Sequence, residues 1–155
     1  MEYNTFKFGD TILATHIVNV PGVPWENRPD VASKPVRQRL SPAALRAFFR
    51  VIKHWKVRDE DARTLLGGIS NGTYYKLKQN ASTILTQDQL IRISLLIGIF
   101  KALNILYSRD LADAWVQLAN TNAMFAGRTP LSFMLQGQPA MMRVRQLLDA
   151  RRGGL

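Results

Sequence analysis

The sequence predicts an all-α protein, with a helix-turn-helix unit followed by a second helical unit behind an extended N-terminal arm. Three observations predict it. Apolar residues recur at three- and four-residue spacings through most of residues 41–150. N-cap residues, prolines at helix starts and glycines at helix ends punctuate that pattern. Five of the seven prolines fall between Pro21 and Pro42, which sets the first part of the chain apart. The boundaries that follow are an arm over 1–40, a helix-turn-helix region over 41–84 and a second helical region over 85–155.

The arm contains a run rich in β-branched residues, 11–20, that could form a strand. The sequence Pro21-Gly22-Val23-Pro24-Trp25 interrupts any regular element after it. Either the arm packs on the chain's own body or a second copy, or part of it stays disordered.

The first helix is expected at Ser41-Pro42, since serine caps free N–H groups and proline suits the first helical position. Leu45, Phe48, Phe49, Ile52 and Trp55 then mark one buried face, and Arg46, Arg50 and Lys53 lie on another. A second helix is expected over 59–66, where Asp59, Glu60 and Asp61 favour the positive N-terminal end. Gly67-Gly68 stops it. Ser70 caps a third helix over 71–79, in which Ile69, Tyr74 and Leu77 suit the buried side. Asn71, Gly72, Tyr75, Lys76 and Gln79 would face outward.

This helix–glycine–helix order is the helix-turn-helix pattern, whose second helix offers one side to the major groove of DNA. Asn and Gln pair with adenine, and Lys reaches guanine or phosphate. A helical hairpin with no DNA role shows the same spacing.

Thr86-Gln87-Asp88-Gln89 is a capping box, flanked by Leu85 and Leu90 at the staple positions. The helix behind it runs to about Tyr107 and is apolar on nearly every face, which places it in a bundle centre or between subunits. Arg92, Lys101 and Asn104 interrupt its apolar stretch, so it reads as a buried helix and not a membrane span. Ser108 starts another helix, with Leu111, Trp115 and Leu118 on one face. A loop over 120–128 leads to a short helix opened by Thr129-Pro130 and closed by Gly137. Pro139 starts the last helix, with Met141, Val144 and Leu148 as its stripe and a basic tail, Arg151-Arg152-Gly153-Gly154-Leu155, behind it.

Composition narrows the function. The chain has 155 residues, 46% of them hydrophobic, which is enough to bury a core. Its net charge of +10 attracts polyanions, nucleic acid first. With no cysteine there are no disulfides, thiolate nucleophiles or sulfur-rich zinc sites, which fits a reducing compartment. His16 and His54 lie far apart without a carboxylate cluster at ligand spacing, so no metal is expected. Residues 1–10 do not form a secretory signal, and a cytoplasmic protein is expected. No phosphate loop, nucleophile elbow or paired carboxylates appear. The chain reads as a binding protein that needs no cofactor and catalyses nothing.

Two stretches carry a resemblance that covers residues 42–150. Leu65-Leu66-Gly67-Gly68-Ile69-Ser70, then Thr73-Tyr74-Tyr75-Lys76-Leu77-Lys78 and 85–94, resembles the helix-turn-helix of the Xre/MbcA/ParS-type antitoxins. Phe125-Ala126-Gly127-Arg128-Thr129-Pro130-Leu131, with Met134-Leu135, Gly137 and Arg143-Val144-Arg145, is similar to that family's C-terminal toxin-binding domain. The resemblance implies a type II antitoxin. It would cover the active site of a RES-domain toxin, which consumes NAD or transfers ADP-ribose, and would repress its own operon.

The DNA-binding residues so implied are Ser70, Asn71, Gly72, Thr73, Tyr75, Lys76, Lys78 and Gln79. The toxin-binding residues are Gly127, Arg128, Thr129, Pro130, Arg151, Arg152 and Leu155. A pocket made for a pyrophosphate favours negative charge, which suits a plug carrying cations or a carboxylate of its own. Arg128 could equally pair within its own loop. The expected partners are the toxin, operator DNA, a second copy of the chain in a homodimer, and a toxin–antitoxin hetero-oligomer, with no membrane. A helix-turn-helix regulator without a toxin and an adaptor without DNA are the rival readings. The dimer contact would fall on helix 86–107 or on the arm.

Overall fold

The computed structural model describes residues 26, 28–80 and 82–153. The strand-like run 11–20, His16 and Leu155 lie outside the described residues. Those described form α-helices without strands: α1 Lys34–Trp55, α2 Asp59–Leu65, α3 Asn71–Gln79, α4 Gln87–Leu106, α5 Arg109–Ala114, α6 Pro130–Met134 and α7 Gln138–Arg152. A 3-10 turn, Trp115–Gln117, follows α5.

α4 is the centre. It packs against α1 on one side and α7 on another, with α5 at its end. Eleven of its residues are buried, and Leu90, Leu95, Leu96, Ile97, Ile99 and Leu103 are sealed from solvent. By length and composition it could cross a membrane, yet 61% of its most apolar window is buried inside this bundle. The capping box is formed: Thr86 Oγ1 accepts from Gln89 N at 3.1 Å, and Gln89 Oε1 accepts from Thr86 N at 2.9 Å.

α1 starts eight residues earlier than Ser41-Pro42 predicts, so 34–40 is helix and not arm. Ser33-Lys34-Pro35 carries the same start signal one step upstream. Pro35 takes an early helical position, and Arg37 N donates to Ser33 O at 3.0 Å. Pro42 then lies inside the helix. Ser41 is not a cap but a buried joint. Its hydroxyl donates to Arg37 O at 2.6 Å and accepts from Leu85 N at 2.8 Å, tying α1 to the segment before α4.

A second correction concerns α5. Leu111 and Leu118 are 39% and 48% exposed, while Ala112, Trp115 and Val116 are buried. The buried face is the neighbouring stripe through Ala112, and the change to a 3-10 turn at Trp115 carries Leu118 off the face that periodicity alone projects.

Candidate functional site

Two surfaces hold the residues that the sequence singles out. The first is built on α2, the glycine turn and α3. α2 ends with Gly67 at φ 100° and Gly68 at φ 76°, and Gly68 N donates back to Arg63 O at 2.9 Å. Two glycines with left-handed backbone turn the chain sharply enough for α3 to pack on both α1 and α2. Arg92 of α4 fixes the turn from behind. Its Nε donates to Asp88 Oδ2 at 2.7 Å and its Nη1 to Leu65 O at 3.5 Å.

Ser70 caps α3, accepting from Thr73 N at 3.1 Å. Tyr74 and Leu77 are buried, and Phe49 of α1 meets the Tyr74 ring edge-on at 5.7 Å. Ile69, also expected on this side, is half-buried against the core. Ser70, Asn71, Gly72, Thr73, Tyr75, Lys76, Lys78 and Gln79 are all exposed. Sequence reasoning missed Asp59, which organises this face from below. Its carboxylate accepts from Tyr74 Oη at 3.0 Å and Tyr75 Oη at 3.4 Å, and it pairs with Lys78 Nζ at 3.7 Å. Burial, first, and then Asp59 push the Tyr74 hydroxyl far above the usual tyrosine range. Lys78 is therefore partly held within the chain, while among the described residues Lys76 has no such partner.

The second surface is the loop ahead of α6. Phe125 is fully buried, edge-on to Trp115 at 5.8 Å and to Phe133 at 5.5 Å. Asn120 N donates to Arg128 O at 3.1 Å, and Gly127 N donates to Asn120 O at 3.1 Å. Ala126 at φ 51° and Gly127 at φ 80° take left-handed backbone in succession. That conformation is unfavourable for alanine by about 1–2 kcal/mol, so the anchored loop holds it in place. The outcome is a rigid loop with Gly127 and Arg128 at its exposed edge. Among the described residues no hydrogen bond or ion pair holds the Arg128 side chain, so the local pairing considered for it is not made.

Thr129 and Pro130 serve the helix behind this loop. Thr129 Oγ1 accepts from Ser132 N at 3.1 Å, and Pro130 is buried at the start of α6. Arg151 donates to Tyr107 Oη at 3.0 Å, and Arg152 lies 3.7 Å from Asp149. No hydrogen bond or ion pair among the described residues joins these two arginines to Arg128.

The two surfaces share one framework. Gln117 Nε2 donates to Trp55 O and Lys56 O, both at 3.1 Å, clamping the end of α1 from the C-terminal half. A cleft of about 510 Å³ opens beside this clamp, where His54 Nδ1 lies 3.3 Å from Asp113 Oδ2.

Residues 34–98 match the family model of the antitoxin Xre-like helix-turn-helix domain. Residues 102–154 match that of the antitoxin Xre/MbcA/ParS C-terminal toxin-binding domain. The chain is 41% identical over 115 residues to an uncharacterized protein, y4oB, of Sinorhizobium fredii (strain NBRC 101917 / NGR234), an alignment covering 73% of this chain and 87% of that one. No solved structure matches the chain.

Proposed function

This chain belongs to the antitoxins that join an Xre-like helix-turn-helix to an Xre/MbcA/ParS C-terminal toxin-binding domain, and from that premise we propose that it neutralises a RES-domain toxin and represses its own operon. The family is non-enzymatic, so both roles are binding. The observation that carries the DNA half is the division of α3: Tyr74 and Leu77 are buried while every other residue of the helix is exposed. A helix held by two side chains, with Asn71, Lys76 and Gln79 turned to solvent, is what a major groove accepts. Two copies related by two-fold symmetry would read half-sites about one helical turn apart.

The toxin half rests on the stiff loop that presents Arg128. A loop held stiff before binding loses little entropy on docking, so Arg128 is presented as a fixed contact. The reading places the protein in the cytoplasm, with the helix-turn-helix half for DNA and the C-terminal half for the toxin. Arg151, Arg152 and Leu155 would complete the toxin contact.

Two measurements test it. In a mobility shift on the upstream promoter, Lys76→Ala should weaken binding and flatten the salt dependence by about one phosphate's worth. Unchanged binding counts against α3 as the reading helix. In cells expressing a RES-domain toxin, the wild type should restore growth and Arg128→Ala should do so less well. A full rescue by the variant counts against the loop. Point variants are required, because α7 packs directly on α4 and deleting residues 120–155 would open the core.

A further inference from the structure

Where α7 crosses α4, four cations lie along the seam, and two of them pair with one carboxylate. Arg145 Nε donates to Asp149 Oδ2 at 3.0 Å, and Arg152 Nη1 lies 3.7 Å from Asp149 Oδ1. Arg151 is anchored on Tyr107 Oη at 3.0 Å. Lys101 faces this group from α4. Its ammonium is held below the usual lysine range by burial first, and then by Arg152 and Arg145. Arg145 is the unusual member: it is only 5% exposed, and its Nη1 is buried without a hydrogen-bond partner. Its guanidinium lies over Gly98, where any Cβ would overlap it. Against these four positive charges, Asp149 is the only carboxylate paired with them among the described residues.

Like charges brought together in a half-buried seam repel, and a buried guanidinium with an idle donor adds to the cost. Neither effect helps the isolated chain fold. The repulsion is offset when an anion arrives at the open side of the seam, where Arg152 is exposed.

We infer that Lys101, Arg151 and Arg152, with the buried charge of Arg145 behind them, form a seat for an acidic segment of the partner toxin. This rests on the reading of the chain as an antitoxin. The geometry favours a protein carboxylate over DNA. Two of the charges, Arg145 and Arg152, already converge on the Asp149 carboxylate, the chemistry that a carboxylate partner would repeat. They also sit on the α4–α7 seam, whereas the reading helix α3 packs on α1 and α2. The residues lie within the region matched by the toxin-binding domain, apart from Lys101, which stands one position before it.

The test uses the full chain and a RES-domain toxin. Calorimetry at low and high salt compares the wild type with Lys101→Met, Arg152→Ala and, as an off-site control, Arg58→Ala. Each of the two seat variants should lose about tenfold in affinity and show a flatter salt dependence, with the control unchanged. Lys101→Met should also keep or raise the melting temperature, since it removes a repelled charge. That combination separates a binding role from a structural one.

If the wild type binds and the seat variants bind equally well with the same salt slope, the inference falls while the antitoxin reading stands. It also falls if Lys101→Met lowers the melting temperature in step with affinity, or if the variants lose promoter DNA and keep the toxin. If the wild type binds no RES-domain protein, both fall.

Discussion

Replacing Gly98 by alanine in the middle of α4 should destabilise this protein, although the same change stabilises an ordinary helix. A glycine inside a helix costs about 1 kcal/mol relative to alanine, so propensity alone predicts a gain of that size. Here the new Cβ falls within the Arg145 guanidinium, overlapping Nη1, Cζ and Nε. The head group must leave a slot in which its side chain is 6% exposed and give up the 3.0 Å bond to Asp149. Overfilling a packed interior costs about 1–3 kcal/mol. Set against the propensity gain, the net is a loss on the order of 1 kcal/mol. When Arg145 is first replaced by alanine the slot is empty, Asp149 keeps Arg152 and some solvent, and the gain of about 1 kcal/mol should return. The two changes therefore couple by roughly 2 kcal/mol in a double-mutant cycle. Urea unfolding of the four proteins, followed by far-ultraviolet circular dichroism, reads that coupling directly. The reasoning is refuted if Gly98→Ala stabilises the intact protein, or changes stability equally in both backgrounds.

Two further perturbations probe other joints. Ser41→Ala removes the acceptor of the buried Leu85 N–H, and thermal unfolding should show a loss of about 1–3 kcal/mol. Tyr74→Phe tests the buried hydroxyl on Asp59: the folded form raises this tyrosine above its ordinary value of 10.0, so it holds its proton where the unfolded chain releases it. The stability the hydroxyl contributes is whole below pH 10 and falls as pH rises beyond it. The gap between wild type and Tyr74→Phe in denaturant titrations should be constant at lower pH and narrow from pH 10 upward, and a gap that widens there contradicts the assignment.

Most of the fold could be read from local signals because those signals are physically local. The capping box at Thr86, the Gly67-Gly68 stop, the Ser70 cap and the Thr129-Pro130 start each act within one turn of helix, and each is found where the sequence puts it. The start of α1 departs from that reading because two equivalent capping serines, Ser33 and Ser41, stand eight residues apart. Only the tertiary demand for Ser41 at the Leu85 N–H shows which one lies inside the helix. The α5 face was misread because a change of helical pitch at Trp115 carries no clear sequence mark.

The site divides in the same way. Which side of α3 faces solvent follows from period alone. That Asp59 would gather Tyr74, Tyr75 and Lys78 does not, since it needs the angle between α2 and α3. Arg145 had a signal that went unused. It stands on the stripe of Met141, Val144 and Leu148, where an arginine has no place unless a gap waits opposite, and Gly98 is a glycine within a long apolar helix.

α4 explains why two binding surfaces belong to one fold. The helix-turn-helix match ends at residue 98 and the toxin-binding match begins at residue 102, so the division falls inside Gln87–Leu106. Its first half backs the glycine turn through Arg92, and its second half carries Lys101 against α7. A helix of 20 residues held along its length by buried Leu, Ile and Phe does not bend readily in the middle. A displacement of α7 by a bound toxin would thus be passed to α1, both by α4 and by the Gln117 clamp on Trp55 O and Lys56 O. Because α1 is one of the two helices on which α3 rests, occupancy of one surface has a physical route to the aim of the other.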